Sequence, residues 1–594
     1  MNPIRQTILP ALLIVLAIIL VYARTVSFDF VEWDDQQNIP DNPHLRPVSA
    51  DNLARIWQAP YLYIYAPLSY TFYAVETLLS QTLAGVGPLD APRANVFHAV
   101  NVALHTACSL LVYLLLLRIV RRPWAAGIGA LLFALHPLQA ETVCWVTEQR
   151  GLLAAAFGLG AVLVIVTTEE GKGRARHRES TPQAESLWCS GKKINGSFWE
   201  RGSRNVAASM LFCLALLAKP SAATIPLTAL VLLWLCGRTV KRQGVLLATW
   251  LALGAACILY TKHLQPDQIM NYGVPIWARV FVAGDALAFY LWKLVWPLDL
   301  SSNYGRTPVV VLNLWWGYAT WLLPMVVLLL PLLLPRLRSA IGVAPALLFL
   351  APLLPVLGLV PFGYQNWSTV ADRYAYMAML GPALAVACGS AVVLKKHNRT
   401  ALIVLGLTIA TLGLRSFDQS ASWRNSKALN ARAIKINPEG PVAHNFFGVE
   451  AGRRGDYLAA RDHLNRARQG NPRSAEVWNN LGMLVAKLGQ IDEAKSHFEH
   501  AIKLNPDLAS AHNNHALALK NLGNADAAIH GFKRALELNP NLAKAWINLG
   551  IIYAERDELS ESVRHLQRGL RIAPDDAMAK NVLLQVRAAL RRDQ

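Results

Sequence analysis

Charged side chains are scarce in this chain. They make up 16% of its 594 residues, whereas hydrophobic side chains make up 54%. This composition excludes a disordered tail and favours membrane helices over an ordinary soluble enzyme. Basic residues outnumber acidic ones by 57 to 38, which gives a formal net charge of +19. In a membrane protein, Lys and Arg collect in cytoplasmic loops, so the basic excess needs no nucleic-acid partner.

Cysteine and the common catalytic motifs are also sparse or missing. The seven cysteines are scattered and form no Cys-x-x-Cys pair, so neither a zinc site nor a disulfide framework is indicated. The sequence has no P-loop, no GxGxxG after a strand, no HExxH and no GxSxG. No soluble catalytic domain is therefore visible. No set of metal ligands is complete, which leaves the need for a divalent metal open.

Long apolar runs fill residues 1 to about 415. A transmembrane helix needs about 20 mostly apolar residues. Residues 7–22 form the first such run, and because no small-residue cleavage site follows, we expect it to be a retained span. Two later runs read as a tight hairpin broken at Lys219-Pro220. The ten further candidate spans are 98–118, 124–140, 151–167, 205–218, 221–237, 244–261, 309–335, 340–360, 374–394 and 400–414.

The basic residues predict how these eleven spans are oriented. Clusters of Lys and Arg should lie in the cytoplasm. If the N-terminus is cytoplasmic and residues 277–296 do not cross the membrane, every cluster falls on the cytoplasmic side. That charged segment is expected to lie at the outer surface or to be re-entrant. The outer side then receives 24–95, 136–150, 263–308, 361–373 and the C-terminal half. The clusters are Arg5, Arg118 to Arg122, Lys172 to Arg204, Arg238 to Arg242, Arg336 to Arg338, and Lys395 to Arg399.

The polar C-terminal part is built from repeats. Small residues and an aromatic ring recur at fixed offsets, and five prolines are each 34 residues apart. This period is typical of tetratricopeptide repeats, in which two helices pack closely and a proline ends the unit. Asparagines on the first helices either grip a peptide backbone or form a solvated face. The prolines are 438, 472, 506, 540 and 574, and the candidate peptide-binding residues are Asn445, Asn479, Asn480, Asn513, Asn514 and Asn548.

An acidic pair follows the first predicted span. Asp34 and Asp35 lie in the segment Glu32-Trp33-Asp34-Asp35. Two adjacent carboxylates at an apolar boundary can divide roles, because one can accept a proton while the other orients an acceptor or binds a cation. The alternative is a simple turn at a helix end, where Asp is common.

Five stretches of the chain resemble the transmembrane and tetratricopeptide-repeat O-mannosyltransferases and their bacterial relatives. They are FDFVEWDDQQNIPDNP, YIYAPLSYTFYAVE, HPLQAETVCWVTEQRG, FYLWKLVWPLDLSSNYG and PFGYQNWSTVADRYAYMAMLG. The resemblance covers almost the whole chain, including the order of membrane part and repeats. It implies the fold of C-type membrane glycosyltransferases, a lipid-phosphate-linked sugar as donor, and a catalytic carboxylate in the first outer loop. That carboxylate falls on Asp34 or Asp35, and the following Gln36 leaves open which is the base.

Sugar transfer from a lipid phosphate also needs cations for the departing phosphate. Arg373 in ADRY and Lys219 in AKPS lie at predicted outer ends of spans and are the first candidates. Arg150 and Lys293 are weaker ones, and interfacial snorkelling is the alternative for each. Candidates for positioning the sugar or acceptor are His136, Glu141 and Trp33, although His136-Pro137 alternatively ends a helix and Trp is common at membrane interfaces. Glu148, Trp145, Tyr364 and Trp367 are further candidates.

These observations predict an all-α protein with a polytopic membrane bundle followed by a tetratricopeptide solenoid. The expected ranges are 1–415 for the membrane domain, 416–440 for a half-repeat, 441–574 for four repeats and 575–594 for a capping helix. The expected activity is transfer of a sugar, possibly mannose, to a Ser or Thr hydroxyl of an exported protein on the periplasmic face of a bacterial inner membrane. The alternatives are glycosylation of a lipid or cell-envelope polymer, or a membrane-anchored repeat scaffold without catalysis.

Overall fold

The computed structural model describes residues 3–168, 198–237, 240–264, 274–334 and 339–592. Several predicted cytoplasmic clusters lie outside the described residues, namely most of Lys172–Arg204, together with Arg238, Arg336 and Arg338. Within the described ranges the secondary structure is helical, and the β-pairing is one isolated bridge between Tyr61 and Ile64. The predicted all-α class is confirmed.

The chain divides into two compact units, with the main division between Leu429 and Asn430. Two short segments, Asp41–Pro47 and Leu89–Ala91, group with the second unit. The domain ranges expected from the sequence stay predictions.

The first unit contains the apolar helices together with short helices that are not apolar. They are α1 (Pro3–Tyr22), α2 (Asp35–Asn38), α3 (Ala50–Gln58), α4 (Pro67–Ala84), α5 (Ala94–Val120), α6 (Pro123–Leu135), α7 (Ala140–Cys144), α8 (Gln149–Thr168), α9 (Phe198–Ala218), α10 (Ile225–Leu235), α11 (Val240–Leu264), α12 (Arg279–Val295), α13 (Pro308–Asn313), α14 (Leu322–Leu333), α15 (Ala340–Leu353), α16 (Leu380–Lys395) and α17 (Arg399–Ser420).

Several of these helices have the length and composition of membrane spans. Among the described residues, five helical segments are long and apolar enough to cross a membrane, and five shorter apolar helices accompany them. The chain is therefore assigned to the membrane, whereas the number of eleven spans and the C-type arrangement stay predictions. The five long segments are Arg5–Ser27, Ala94–Val120, Val146–Thr167, Gln243–Leu264 and Arg399–Trp423.

One predicted span is wrong as a continuous helix. The described part of this stretch, 309–334, contains α13, a short 3-10 turn over Trp315–Tyr318 and α14. The backbone is extended at Leu314, which ends α13. Gly317 then packs on α13 so closely that an added Cβ would lie 2.1 Å from the carbonyl oxygen of Val311. This close return requires glycine and is incompatible with a straight helix.

Small residues also set the spacing of helices in the core of the first unit. A Cβ added to Gly129 of α6 would lie 2.4 Å from the carbonyl oxygen of Ala383 in α16. A Cβ added to Gly381 of α16 would lie 2.2 Å from the carbonyl oxygen of Pro345 in α15. Close backbone approach through glycine is the usual way in which membrane helices gain packing energy, because lipid supplies no hydrophobic drive between them.

The second unit is a series of antiparallel helix pairs, which confirms the tetratricopeptide prediction. Each pair closes through a small residue: an added Cβ at Gly448, Gly482 or Gly550 would lie 2.6–2.7 Å from the facing side chains of Leu464, Phe498 and Leu566. The division falls inside α18 (Ser426–Ile436), and the helices after it are α19 (Pro441–Arg453), α20 (Tyr457–Gly470), α21 (Ala475–Lys487), α22 (Ile491–Leu504), α23 (Ala509–Asn521), α24 (Ala525–Leu538), α25 (Ala543–Glu555), α26 (Leu559–Ile572) and α27 (Ala577–Leu590).

A hydrogen bond that recurs in every unit ties the start of each first helix to the preceding proline. Trp478 donates its ring N–H to the carbonyl oxygen of Pro472 at 2.9 Å, and Trp546 does the same to Pro540 at 2.8 Å. At the equivalent positions the Nε2 atoms of His444 and His512 lie 2.8 Å from the carbonyl oxygens of Pro438 and Pro506. His can replace Trp here because both rings present an N–H at the same place.

Candidate active site

The acidic pair lies where a short helix begins, and its two carboxylates have different surroundings. Asp35 is the first residue of α2 and is 1% exposed. Its Oδ1 accepts hydrogen bonds from the backbone N–H of Thr147 at 2.9 Å and from the Thr147 hydroxyl at 2.5 Å, and its Oδ2 accepts one from Val31 N–H at 3.0 Å. Burial raises the pKa of Asp35 to about 6, although these hydrogen bonds oppose the shift. Asp35 therefore fastens the acidic loop to the turn before α8.

Asp34 is half-buried, and among the described residues no hydrogen bond reaches its carboxylate. Burial raises its pKa above the usual range, and the positive charges of Arg150 and Arg373 partly offset that rise. The negative charge of Glu148 is also close enough to raise it. Both carboxylate oxygens of Asp34 are thus available beside two cations. Both oxygens of Asp35, by contrast, already accept hydrogen bonds.

The two predicted phosphate-binding cations meet at one carboxylate. Lys219 lies in the extended junction after α9, and its Nζ donates to Glu148 Oε2 at 2.7 Å and to Oε1 at 2.9 Å. Nε of Arg373 lies 3.9 Å from Oε1 of the same carboxylate. The side chains of Glu148 and Arg373 are 4% and 6% exposed, so this is a buried ion cluster. Burial lowers the pKa of Lys219, and Glu148 opposes this shift.

Arg373 is held by a second carboxylate and by aromatic rings. Its Nη1 donates to Glu141 Oε1 at 2.6 Å, and its backbone N–H donates to Glu141 Oε2 at 3.2 Å. Its guanidinium lies 4.1 Å from the ring centroid of Tyr364 and 5.2 Å from that of Trp145. An ion pair and cation–π contacts together fix the direction of a planar guanidinium. Glu141, predicted to position substrate, contacts Arg373 and orients it.

The loop after α12 braces the segment that carries Arg373. The Tyr304 hydroxyl donates to Asp372 Oδ1 at 2.7 Å, and the Tyr364 hydroxyl donates to the carbonyl oxygen of Ser302 at 2.5 Å. Thr369 N–H donates to the carbonyl oxygen of Arg306 at 2.8 Å. Burial and the negative charge of Glu141 raise the pKa of Asp372 well above its usual range. Sequence reasoning missed this brace, which joins residues far apart in the chain.

Lys293, a weaker phosphate candidate, is directed elsewhere. Its ammonium donates to the carbonyl oxygens of Leu298 and, at 3.3 Å, Asp299. Two other charged residues of this region form an ion pair: Arg306 donates from Nη2 to Asp285 Oδ1 at 2.5 Å and from Nε to Oδ2 at 3.2 Å. The bonds of Lys293 and the Asp285–Arg306 pair stabilise α12 and its following loop.

His136 has two backbone partners. Its Nε2 lies 3.1 Å from the carbonyl oxygen of Leu294, and its Nδ1 accepts from Leu138 N–H at 3.3 Å. It directly follows Leu135, the last residue of α6, and caps that helix end. This placement fits the helix-ending alternative, because both ring nitrogens are engaged away from the acidic pair. Trp33 is half-buried and packs on the core of the first unit; Trp145 stacks on Trp423, with ring centroids 5.8 Å apart.

A further buried carboxyl that sequence reasoning missed lies in α4. Glu76 is 2% exposed, and its Oε1 accepts from the side-chain amide of Gln149. Its Oε2 has no hydrogen-bond partner among the described residues. Burial raises the pKa of Glu76 to about 8, so the neutral acid predominates at neutral pH. The neighbouring Tyr73 donates its hydroxyl to the carbonyl oxygen of Thr147, next to the Asp35 anchor.

In the repeats, the predicted peptide-binding asparagines bond to one another. Each bond joins neighbouring repeats across 35 residues: Asn480 Nδ2 donates to Asn445 Oδ1 at 2.9 Å and Asn514 Nδ2 donates to Asn479 Oδ1 at 2.9 Å. The third such bond, from Asn548 to Asn513, is 3.4 Å long. Asn479 and Asn513 are buried, which argues against a plain solvated face. The ladder therefore stabilises the stacking, and its role in holding a peptide stays a prediction.

In the part of the chain that the structure describes, no group of three His, Cys, Asp or Glu side chains is arranged to hold a metal ion. The acidic side chains of the site lie beside the cations Arg150, Lys219 and Arg373.

Comparison with known families matches the repeats first. Models of the tetratricopeptide repeat match residues 475–508 and 521–586. Among solved structures, a thermophilic TPR protein of Thermus thermophilus is 23% identical with a TM-score of 0.25; the match covers 31% of this chain and 95% of that one. A MamA structure from Desulfovibrio magneticus is 20% identical with a TM-score of 0.23, over 26% of this chain and 85% of that one.

Two relatives extend the similarity through most of the chain. Protein O-mannosyl-transferase TMTC4 of Homo sapiens is 24% identical over 516 residues, which is 74% of this chain and 64% of the relative. The protein of the same name from Mus musculus is 23% identical over 515 residues, with the same coverage. This chain thus spans less than two thirds of the length of these relatives.

Proposed function

We propose that this chain, which is related to the transmembrane and tetratricopeptide-repeat protein O-mannosyl-transferases, is an integral membrane glycosyltransferase. The family resemblance drawn from the sequence is confirmed by these relatives, and the activity is our proposal. The donor is a sugar, mannose in the first instance, linked to a polyprenyl phosphate. The acceptor is a Ser or Thr hydroxyl of an exported protein on the extracytoplasmic side.

The availability of Asp34 carries this proposal. Its carboxylate accepts no hydrogen bond within the described residues and lies in the field of Arg150 and Arg373. A general base needs a free oxygen within reach of the hydroxyl that it deprotonates. Raising its pKa towards neutrality makes a carboxylate a better proton acceptor. We therefore assign Asp34 as the base and Asp35 as the residue that holds its loop in place.

The transfer then follows from the charges around Asp34. The acceptor hydroxyl oxygen attacks the anomeric carbon of the sugar as its proton passes to Asp34. The bond from that carbon to the phosphate oxygen breaks, and the electron pair leaves with the polyprenyl phosphate. Lys219 and Arg373 stabilise the charge on this leaving group, and Glu141 keeps the Arg373 guanidinium directed at it.

The repeats recruit the acceptor in this proposal. Tetratricopeptide solenoids present a concave surface, and the asparagine ladder lies on their first helices. Deleting 441–594 should alter which acceptor peptides are glycosylated more than it alters donor binding. Unchanged acceptor selection would leave the repeats without this role.

A reporter fused after Gln594 should read as extracytoplasmic, and a cytoplasmic signal would overturn the proposed orientation.

The principal test is transfer by purified full-length protein supplied with several labelled polyprenyl-phosphate sugars. Asp34→Asn should abolish transfer while the thermal unfolding midpoint stays unchanged. Asp35→Asn is the matched control, because it should lower the midpoint as well. Full activity of the Asp34 variant would remove the catalytic assignment, and labelling of lipid or polymer in place of protein would favour that alternative acceptor class.

A further inference from the structure

The Glu148 carboxylate occupies the space between the two cations assigned to the donor phosphate. Lys219 Nζ lies 2.7 Å from its Oε2, and Arg373 Nε lies 3.9 Å from its Oε1. Among the described residues, Glu148 is the one carboxylate paired with Lys219, whereas Arg373 is also paired with Glu141. Arg373 would therefore keep an anionic partner if Glu148 withdrew.

The first turn of α8 has a glycine, Gly151, at a position where a side chain would collide with the Glu148 carboxylate. An added Cβ at Gly151 would lie 2.7 Å from Oε2 of Glu148 and 3.4 Å from Nζ of Lys219. The backbone of Gly151 is helical, so its conformation does not call for glycine. Because glycine has no side chain, it leaves room for the Glu148 carboxylate beside Lys219. Gly151 therefore allows Glu148 to take its observed position.

A carboxylate and a phosphate present the same kind of anionic oxygen to Lys and Arg. They cannot both occupy the place where the Glu148 carboxylate contacts Lys219 and Arg373. We propose that Glu148 competes with the carrier phosphate for Lys219 and Arg373 and thereby sets how tightly the carrier is held. This inference rests on the proposed function, since it concerns the phosphate of that donor.

The competition has a consequence for turnover. Before transfer, the phosphate is a diester with one negative charge; afterwards, the carrier is a monoester with a charge of about −1.5 to −2 at pH 7. The product is therefore attracted to Lys219 and Arg373 more strongly than the donor. When the Glu148 carboxylate returns to Lys219 and Arg373, it offsets the stronger attraction of the product and speeds release of the carrier phosphate.

The test measures binding of a short-chain polyprenyl monophosphate, without sugar, to full-length protein in detergent. Glu148→Gln keeps the shape and removes the charge, so the carrier should bind about tenfold more tightly. Gly151→Ala keeps the charge but crowds the carboxylate away from Lys219, and binding should tighten about threefold. Glu76→Gln is the matched control. Glu76 is also a buried glutamate, but it pairs with no cation among the described residues. Its substitution should therefore leave carrier binding unchanged.

One outcome would overturn the inference alone, and a second would overturn the proposed donor together with it. Weaker or unchanged binding in both Glu148→Gln and Gly151→Ala, with normal binding by the unsubstituted protein, would show that Glu148 only positions Lys219. If Glu148→Gln does not fold, Gly151→Ala decides alone, since Ala is favourable in a helix. If the unsubstituted protein binds no polyprenyl phosphate, the donor class is wrong and the inference falls with it.

Discussion

Thr147 donates both its backbone N–H and its hydroxyl to one oxygen of Asp35, a residue 112 positions earlier in the chain. This contact joins the loop of the acidic pair to the turn that precedes α8. Glu148, the next residue, pairs with Lys219. A single turn thus contacts the loop of the acidic pair on one side and the cation cluster on the other, which is consistent with the different roles proposed for the two aspartates.

The Thr147 hydroxyl should therefore contribute to stability. Thr147→Val keeps the shape and removes the hydrogen bond to a buried carboxylate, which should lower the free energy of unfolding by about 1.5–3 kcal/mol. Thermal unfolding in detergent measures this. Thr167→Val is the control, because that hydroxyl is exposed and bonds only within its own helix. Equal midpoints for the two variants would contradict a structural role for Asp35.

Arg373 should not be replaceable by lysine. A lysine ammonium keeps the charge but cannot hold Glu141 and stack on Tyr364 with one planar group, as the guanidinium does. We expect Arg373→Lys to lose about 2–3 kcal/mol of transition-state stabilisation, or roughly 30- to 150-fold in kcat/KM. Steady-state transfer assays measure it. Retention of activity within threefold would show that charge alone suffices at this position.

The buried Glu76 carboxyl should make stability depend on pH. Its pKa rises from 4.5 to about 8 in the folded chain. A raised acid pKa means that the folded state binds the extra proton, so stability is full below about pH 4.5 and is lost as the pH approaches 8. The loss should reach on the order of 4 kcal/mol. Glu76→Gln should remove this slope in thermal unfolding measured from pH 7 to 8.5, above the raised pKa of Asp35, and an unchanged slope would contradict the assignment.

The recurring bond from ring N–H to proline carbonyl should matter in the repeats. His512→Phe removes the donor to Pro506, whereas His512→Trp supplies the residue that the neighbouring units use at this position. We expect the Phe variant to lose about 1 kcal/mol of local stability and the Trp variant to retain it. Hydrogen exchange of the α23 amides in full-length protein distinguishes them. Similar exchange in both would show that ring packing, and not the hydrogen bond, holds this turn.

Much of the architecture could be predicted because it depends on local patterns. The 34-residue period gave the helix pairs, and apolar runs marked most of the long helices. The prediction of a single helix over 309–335 was wrong because hydropathy does not register the return of the chain onto Val311 at Gly317. The brace between Tyr304 and Asp372 joins residues 68 positions apart, and the sequence carried no local signal for it.

The order of the residues along the chain determined that this protein has apolar helices, a repeat solenoid and an acidic pair after its first helix, since each is written in neighbouring residues or a regular spacing. Folding in three dimensions decided which aspartate remains free and that Glu148 lies between Lys219 and Arg373. The contacts of Glu148 with Lys219 and Arg373 bring together groups 71 and 225 positions apart. Their energies come from burial and from the direction of each side chain, which exist only once the helices have packed.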